Sequence, residues 1–163
     1  MNSLELIASL RRQAESILIS DEVRPASENL PTEYEPGSIE YTSDCMRRYN
    51  YEAYLEITNP GMSVVFADVD NDAILEFESI LDAYMEAYAP NRPNLKNYIK
   101  LVSTYLAFVA KRPLHAPSIM SPKPNKGAAT KIRHCCVAGM GNLDERFPIC
   151  HYCVANPKRK PTK

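Results

Sequence analysis

Apolar residues recur at intervals of three and four positions through the first 110 residues, which is the spacing of one face of an α-helix. This period is clearest in the stripe of apolar positions Ile74, Phe77, Leu81, Tyr84 and Tyr88. The pattern predicts four helices: from Asn2 to about Ser20, from Asp44 or shortly before it to about Ile57, from Asp70 or Asn71 to the break at Pro90, and from Asn94 to about Val109. We therefore expect a small helical bundle.

Capping residues and helix breakers mark the ends of these elements. Asn2, with Glu5 three positions later, has the spacing of a capping box. The sequence Asn-Pro-Gly at 59–61 ends the second helix, because proline and glycine are poor helix formers. Residues 62–70 fit either a short strand or the start of the third helix.

The helical period disappears after Lys111. Seven prolines follow that residue: Pro113, Pro117, Pro122, Pro124, Pro148, Pro157 and Pro161. An irregular segment of this length with little apolar content cannot be held together by packing alone. We expect a single domain with a helical body at 1–110 and a Cys/His-rich basic segment at 111–163 packed on it.

Charge is divided unequally between these two parts. Residues 1–110 carry a net charge of −10 and residues 111–163 carry +9, although the whole chain sums to only −1. The basic segment is tethered to the acidic body at high effective concentration, so we expect the two to pair with each other. Because the acidic body would repel phosphates, we expect nucleic-acid binding to be weak at most.

All three histidines and four of the five cysteines lie in the basic segment. The sequence Cys150-His151-Tyr152-Cys153 is a C-x-x-C motif, which can bring two thiolates to one metal from a tight turn. The predicted ligand set is His115, Cys136, Cys150 and Cys153, with Cys135 as a substitute for Cys136. Three thiolates and one imidazole fill the four positions of a structural Zn²⁺ ion. The expected fold is thus mainly α, with an irregular, metal-stapled C-terminal segment.

Other uses of the same residues remain open at the level of the sequence. The cysteines could hold an iron–sulfur cluster, or the C-x-x-C could serve thiol redox chemistry. Buried thiols without a metal are the simplest alternative. His134 and His151 each adjoin a cysteine, so they suit positions beside the metal or at the surface. We expect Cys45 to act as a small apolar packing residue.

Motifs for several enzyme classes do not occur in the chain. No G-x-G-x-x-G, G-x-x-x-x-G-K-[ST], G-x-S-x-G or H-E-x-x-H string is found. We therefore expect a zinc-stapled binding or accessory protein with a protein partner, rather than an enzyme. The alternatives are an iron–sulfur or thiol-redox accessory enzyme and a weak nucleic-acid-binding module. The N-terminus lacks the pattern of a secretory signal and no apolar run spans a bilayer, so we expect no membrane association and a cytoplasmic protein.

The run from Tyr98 to His115, followed by a cysteine and then Cys-x-x-Cys-Val-Ala, resembles a family of methanogen proteins. The family is the domain of unknown function numbered twenty-one fifteen, also called uncharacterised protein family zero-three-zero-five. The resemblance extends from about Tyr98 to Ala155 and favours Cys136 over Cys135 by its distance from the C-x-x-C. The chain departs from the family pattern at Val137, where the family has proline, and at Ala116, which separates His115 from the next proline. The resemblance implies a methanogenic archaeal source and a cytoplasmic setting, and it brings no activity.

Overall fold

The computed structural model describes residues 1–26, 34–35, 38–116 and 148–154. These contain four α-helices, α1 (Ser3–Ala14), α2 (Ile39–Thr58), α3 (Asn71–Tyr88) and α4 (Pro93–Thr104), then a π-helical turn (Tyr105–Val109) and a 3₁₀ turn (Pro148–Tyr152). Within these ranges the only β-type pairing is one isolated bridge between Asn2 and Asp68. The mainly α prediction is confirmed. None of the helices described is long and apolar enough to cross a membrane.

Helix α1 begins as the sequence predicts and ends earlier. The Asn2 side chain accepts hydrogen bonds from the backbone N–H groups of Leu4 and Glu5, at 3.0 Å each. The Glu5 carboxylate in turn accepts the Asn2 N–H at 2.9 Å, which completes the capping box. The helix ends at Ala14 because the hydroxyl and the N–H of Ser16 both donate to the Gln13 carbonyl, closing a turn.

Helix α2 begins at Ile39, five residues before Asp44. Ser38 is the N-cap, and its hydroxyl oxygen accepts the Tyr41 N–H at 3.0 Å. Asp44 lies inside the helix, where it is 2% exposed. Its carboxylate pairs with Arg48 at 3.0 Å and accepts the Ala26 N–H at 2.9 Å. Asp44 therefore ties the chain that follows α1 to the side of α2.

Helix α3 has the predicted cap, and the first three positions of its apolar stripe are buried. The Asp70 carboxylate accepts the N–H of Asp72 at 2.9 Å, as the sequence predicts. The buried positions are Ile74, Phe77, Leu81 and Met85. Tyr84 and Tyr88, which end the apolar stripe of the sequence, are 40% and 68% exposed. Their rings lie 4.6 Å apart.

Helix α4 begins at Pro93, one residue before the predicted cap. Proline suits the first helical position because it has no N–H to satisfy there. The Asn94 side chain, predicted as the cap, instead donates to the Leu18 carbonyl at 2.7 Å and accepts the Leu18 N–H at 2.9 Å. These two hydrogen bonds link the start of α4 to the chain after α1.

The second half of α4 and the π-helical turn form the centre of the molecule. Eight consecutive residues, 101–108, are buried, and this part of the chain packs against α1 and α2. Helix α4 also packs along α3. The turn ends where Ala110 donates to the Tyr105 carbonyl and Arg112 donates to the Leu106 carbonyl, both at 2.9 Å. This reversal places Lys111 in the left-handed region at φ 51°.

The backbone of Lys111 supplies a stability prediction. A residue with a Cβ atom in the left-handed region destabilises the folded protein by roughly 1–2 kcal/mol, and glycine, which has no Cβ, avoids this strain. Lys111→Ala is the reference, because it removes the ammonium that lies 5.9 Å from the Phe108 ring centre but keeps Cβ. We expect Lys111→Gly to be about 1 kcal/mol more stable than Lys111→Ala in urea denaturation. A glycine variant less stable than the alanine variant would contradict this conformation.

Candidate metal site

The chain that follows the π-helical turn, residues 111–116, carries the first predicted ligand and is called here the 111–116 segment. It is anchored at its start by an ion pair with α2. The Arg112 guanidinium donates two hydrogen bonds to the Glu56 carboxylate, at 3.1 and 2.5 Å. The Tyr105 hydroxyl donates to the same carboxylate at 2.7 Å. A bidentate pair of this kind fixes orientation as well as distance.

Tyr49 on α2 provides the second anchor. Its hydroxyl donates to the Pro113 carbonyl at 2.6 Å. Burial raises the pKa of Tyr49, while the nearby Arg112 opposes that effect, so the hydroxyl stays a hydrogen-bond donor. The Arg112 guanidinium lies 6.0 Å from the Tyr49 ring centre and 5.9 Å from that of Tyr105. The guanidinium is therefore held between two aromatic rings and a carboxylate.

Two backbone N–H groups of the 111–116 segment donate to sulfur atoms. The Leu114 N–H lies 3.4 Å from Cys153 Sγ, and the Ala116 N–H lies 3.3 Å from Met46 Sδ. Cys153 is a predicted metal ligand, whereas Met46 belongs to α2. His115 thus lies between two residues whose backbone positions are fixed by these contacts.

The His115 imidazole lies on the wall of a cavity of about 290 Å³ that it shares with Cys150. The wall is formed by side chains of α2, α3, α4, the 111–116 segment and the 3₁₀ turn. The lining residues are Met46, Asn50, Leu81, Tyr84, Met85, Leu95, Ile99, Ser103, Leu114, His115, Ile149 and Cys150. Burial lowers the pKa of His115, which favours the neutral imidazole. Neutral imidazole is the form that binds metals.

The C-x-x-C motif lies on the 3₁₀ turn, which is anchored separately by aromatic packing. Cys150 and Cys153 are 6% and 4% exposed, and the Cys153 N–H donates to the Cys150 carbonyl at 3.2 Å. The Tyr152 ring centre lies 5.1 Å from that of Phe77 and 6.0 Å from that of Phe108. Through these contacts the 3₁₀ turn packs against α3 and the π-helical turn.

The tyrosine of this turn also makes a polar contact with α3. Burial, together with the nearby Glu76 carboxylate, raises the pKa of Tyr152. The hydroxyl therefore stays protonated over the physiological pH range. The turn that carries both cysteines is thus fixed by apolar packing and by one polar contact with α3.

Three of the predicted ligands lie on described residues: His115 and Cys150 line one cavity, and Cys153 Sγ accepts the N–H of Leu114, the residue before His115. Cys135 and Cys136 lie outside the described residues, as does His134. Within the ranges 1–26, 34–35, 38–116 and 148–154, no group of three His, Cys, Asp or Glu side chains is close enough to hold a metal ion. The complete ligand set therefore stays a prediction.

The remaining candidates lie on described elements. His151 is half-buried on the 3₁₀ turn, and Cys45 is half-buried on α2. The sequence pattern did not point to Arg112, and it marked Pro113 only as one of the prolines after Lys111. It did not point to Glu56 or Tyr49, because their partners lie 56 and 64 positions away and no local pattern connects them.

The burial of His115 predicts how stability depends on pH in protein stripped of metal. In the unfolded chain the imidazole takes up a proton near its ordinary value of 6.5, whereas the folded protein resists that protonation. The contribution of His115 to the free energy of unfolding is therefore fully present above pH 6.5 and is lost as the pH falls below that value. We expect His115→Gln to lose less stability than the wild type between about pH 7.5 and 5.5 in urea denaturation with a chelator present. Equal losses in the two proteins would contradict the buried neutral imidazole.

Comparison with known proteins places this chain in a family. The family model described as an uncharacterized protein conserved in archaea (DUF2115) matches residues 2–158. A UPF0305 protein of Methanocaldococcus jannaschii is 24% identical over 161 residues, covering 94% of this chain and 95% of the relative. No solved structure matches the chain. The resemblance seen from Tyr98 to Ala155 thus extends over nearly the whole sequence, and the chain belongs to this archaeal family.

Proposed function

We propose that the protein is a binding or accessory protein whose C-terminal part is held by one structural zinc ion. The proposed ligands are His115, Cys136, Cys150 and Cys153, with Cys135 as the substitute for Cys136. The observation that supports this proposal most is the hydrogen bond from the Leu114 N–H to Cys153 Sγ. It joins the residue next to His115 to the C-x-x-C motif, although 39 positions separate the two in sequence.

The chemistry of these groups suits zinc. Burial favours the neutral imidazole of His115, which needs no deprotonation before it binds. The Leu114 N–H is directed at Cys153 Sγ, and contacts of this kind around a ligand fix its orientation. A buried thiolate without a nearby positive charge is costly, so a cation beside two buried cysteines offsets that cost.

A shell of four protein ligands points to a structural role. A hydrolytic zinc ion keeps one position open for water, and a set of one histidine and three cysteines leaves none. We infer that the protein acts by binding, and we expect its partner to be another protein. The net charge of −10 on residues 1–110 disfavours a partner rich in phosphates.

Metal content provides the first test. We expect about one zinc per chain in anaerobically purified protein, and about one cobalt after exchange, with the visible bands of tetrahedral thiolate coordination. Cys150→Ser and Cys153→Ser should each weaken binding strongly, because serine is a poor zinc ligand. Cys45→Ser is the matched control and should bind metal as the wild type does.

Two further variants decide between the adjacent cysteines. We expect Cys136→Ser to lose metal and Cys135→Ser to retain it. Iron with acid-labile sulfide, in place of zinc, would instead support the iron–sulfur alternative. Wild-type protein that contains neither metal would contradict the proposal.

Removal of the metal should loosen one part of the chain and leave the helices folded. A metal held by these ligands would restrain the chain from Lys111 onward, so chelation should act on that part. The structure anchors residues 111–116 and 148–154 by contacts that involve no metal, so we expect new protease cleavage between residues 117 and 147. Circular dichroism should report unchanged helix content. A cleavage pattern identical with and without chelator would contradict a structural role for the metal.

A further inference from the structure

Three helices enclose the cavity with side chains that repeat every four residues. Residues four apart lie on the same side of a helix, so each helix presents one stripe to the cavity. The stripes are Met46 and Asn50 on α2, Leu81 and Met85 on α3, and Ile99 and Ser103 on α4. The 111–116 segment and the 3₁₀ turn complete the wall. The cavity is therefore a product of how the helices pack.

The size of the cavity limits what it can hold. Protein interiors pack as densely as organic crystals and leave few voids larger than a water molecule. This cavity measures about 290 Å³. Because a cavity of roughly 150 Å³ is large enough for benzene, this one has room for a molecule of about two rings. An empty cavity of this size destabilises the fold, which favours an occupant.

The wall of the cavity reaches the surface at an aromatic pair. Tyr84 lines the cavity and is 40% exposed, and its ring centre lies 4.6 Å from that of Tyr88, which is 68% exposed. On the facing helix α2, Met46 and Asn50 are half-buried. The two tyrosine rings offer an apolar surface to another ring that enters the cavity.

The wall is uncharged but carries hydrogen-bonding groups. None of its described lining residues is an Asp, Glu, Lys or Arg. A charged ligand would lose its hydration there without gaining a partner of opposite charge, so the wall favours a neutral molecule.

Asn50 and Ser103 supply the polar contacts. The Asn50 amide and the Ser103 hydroxyl can each donate and accept a hydrogen bond. In the part of the chain that the structure describes, neither side chain is hydrogen-bonded to another residue. Both groups are therefore available to a ligand. Met46 and Met85 also line the cavity, and thioether sulfur makes favourable contacts with aromatic rings.

We propose that this cavity binds a neutral molecule of about two aromatic rings with one polar group, which hydrogen-bonds to Asn50 and Ser103 while the rings contact Met46 and Met85. The inference goes beyond the proposed function and does not depend on it, because none of these four side chains is a proposed metal ligand. The protein would thus hold a small molecule between its helices, in addition to any protein partner at its surface.

The probe 2-naphthol has this chemistry, because it joins two fused rings to one hydroxyl. The chain has no tryptophan, so the fluorescence of the probe reports binding directly. We expect the full-length protein to bind 2-naphthol with a dissociation constant of about 100 µM or tighter. Naphthalene-2-sulfonate has the same rings and a negative charge, and its affinity should be at least about 10-fold lower. Equal affinities, or no binding of 2-naphthol, would overturn the proposal.

Asn50→Leu tests the polar contact, because it removes the amide and keeps the approximate size of the side chain. We expect its affinity for 2-naphthol to fall about 5-fold, while its affinity for naphthalene, which has no hydroxyl, stays that of the wild type. Ser103→Ala should behave in the same way. Asn97→Leu is the matched control, because Asn97 is exposed on α4 and does not line the cavity. It should bind both probes as the wild type does.

Ile99→Phe tests whether the probe lies in the cavity. The larger side chain occupies part of the space, so we expect the affinities for 2-naphthol and naphthalene both to fall at least about 10-fold. Circular dichroism checks that this variant is folded. A folded variant that binds both probes as the wild type does would overturn the proposal. Where it does not fold, Asn50→Leu and Ser103→Ala decide: affinities for 2-naphthol equal to that of Asn97→Leu would overturn it.

Discussion

The burial of residues 101–108 on every side is the constraint on which the remaining structure depends. An α-helix satisfies its own backbone hydrogen bonds, so it can cross the middle of a bundle without unpaired backbone groups. Where the chain leaves this buried position, the last carbonyl groups of the helix need hydrogen-bond donors from the residues that follow. The reversal at Lys111 supplies these donors through the N–H groups of Ala110 and Arg112. It also directs the next residues onto the side of α2.

The two parts of the candidate metal site are held by different forces. Arg112 and Tyr49 attach the 111–116 segment to α2 through an ion pair and a hydrogen bond. Tyr152 attaches the 3₁₀ turn to Phe77 and Phe108 through apolar packing. A metal bound between them would join two elements that are already in place. This arrangement differs from that of a zinc finger, in which the metal supplies the folding energy.

The elements that the sequence predicted well depend on neighbours close in the chain. Asn2 and Glu5 form a capping box across three positions, and Asp70 caps α3 across two. The predictions that failed involve side chains with distant partners. Asp44 and Asn94 lie where the sequence places the starts of helices, yet Asp44 accepts the Ala26 N–H from 18 positions away and Asn94 binds Leu18 from 76 positions away. Capping propensity is a local preference, and a tertiary hydrogen bond outweighs it.

The sequence by itself determined the helical class, the break after residue 110 and the cysteine and histidine positions that favour a metal. These follow from periodicity, proline content and spacing, which are readable over a few residues. Only the tertiary structure decided which side chains support the site. Glu56 and Arg112 are 56 positions apart, and Leu114 and Cys153 are 39 apart. Their contacts arise from how the helices pack, which the separate helical patterns do not encode.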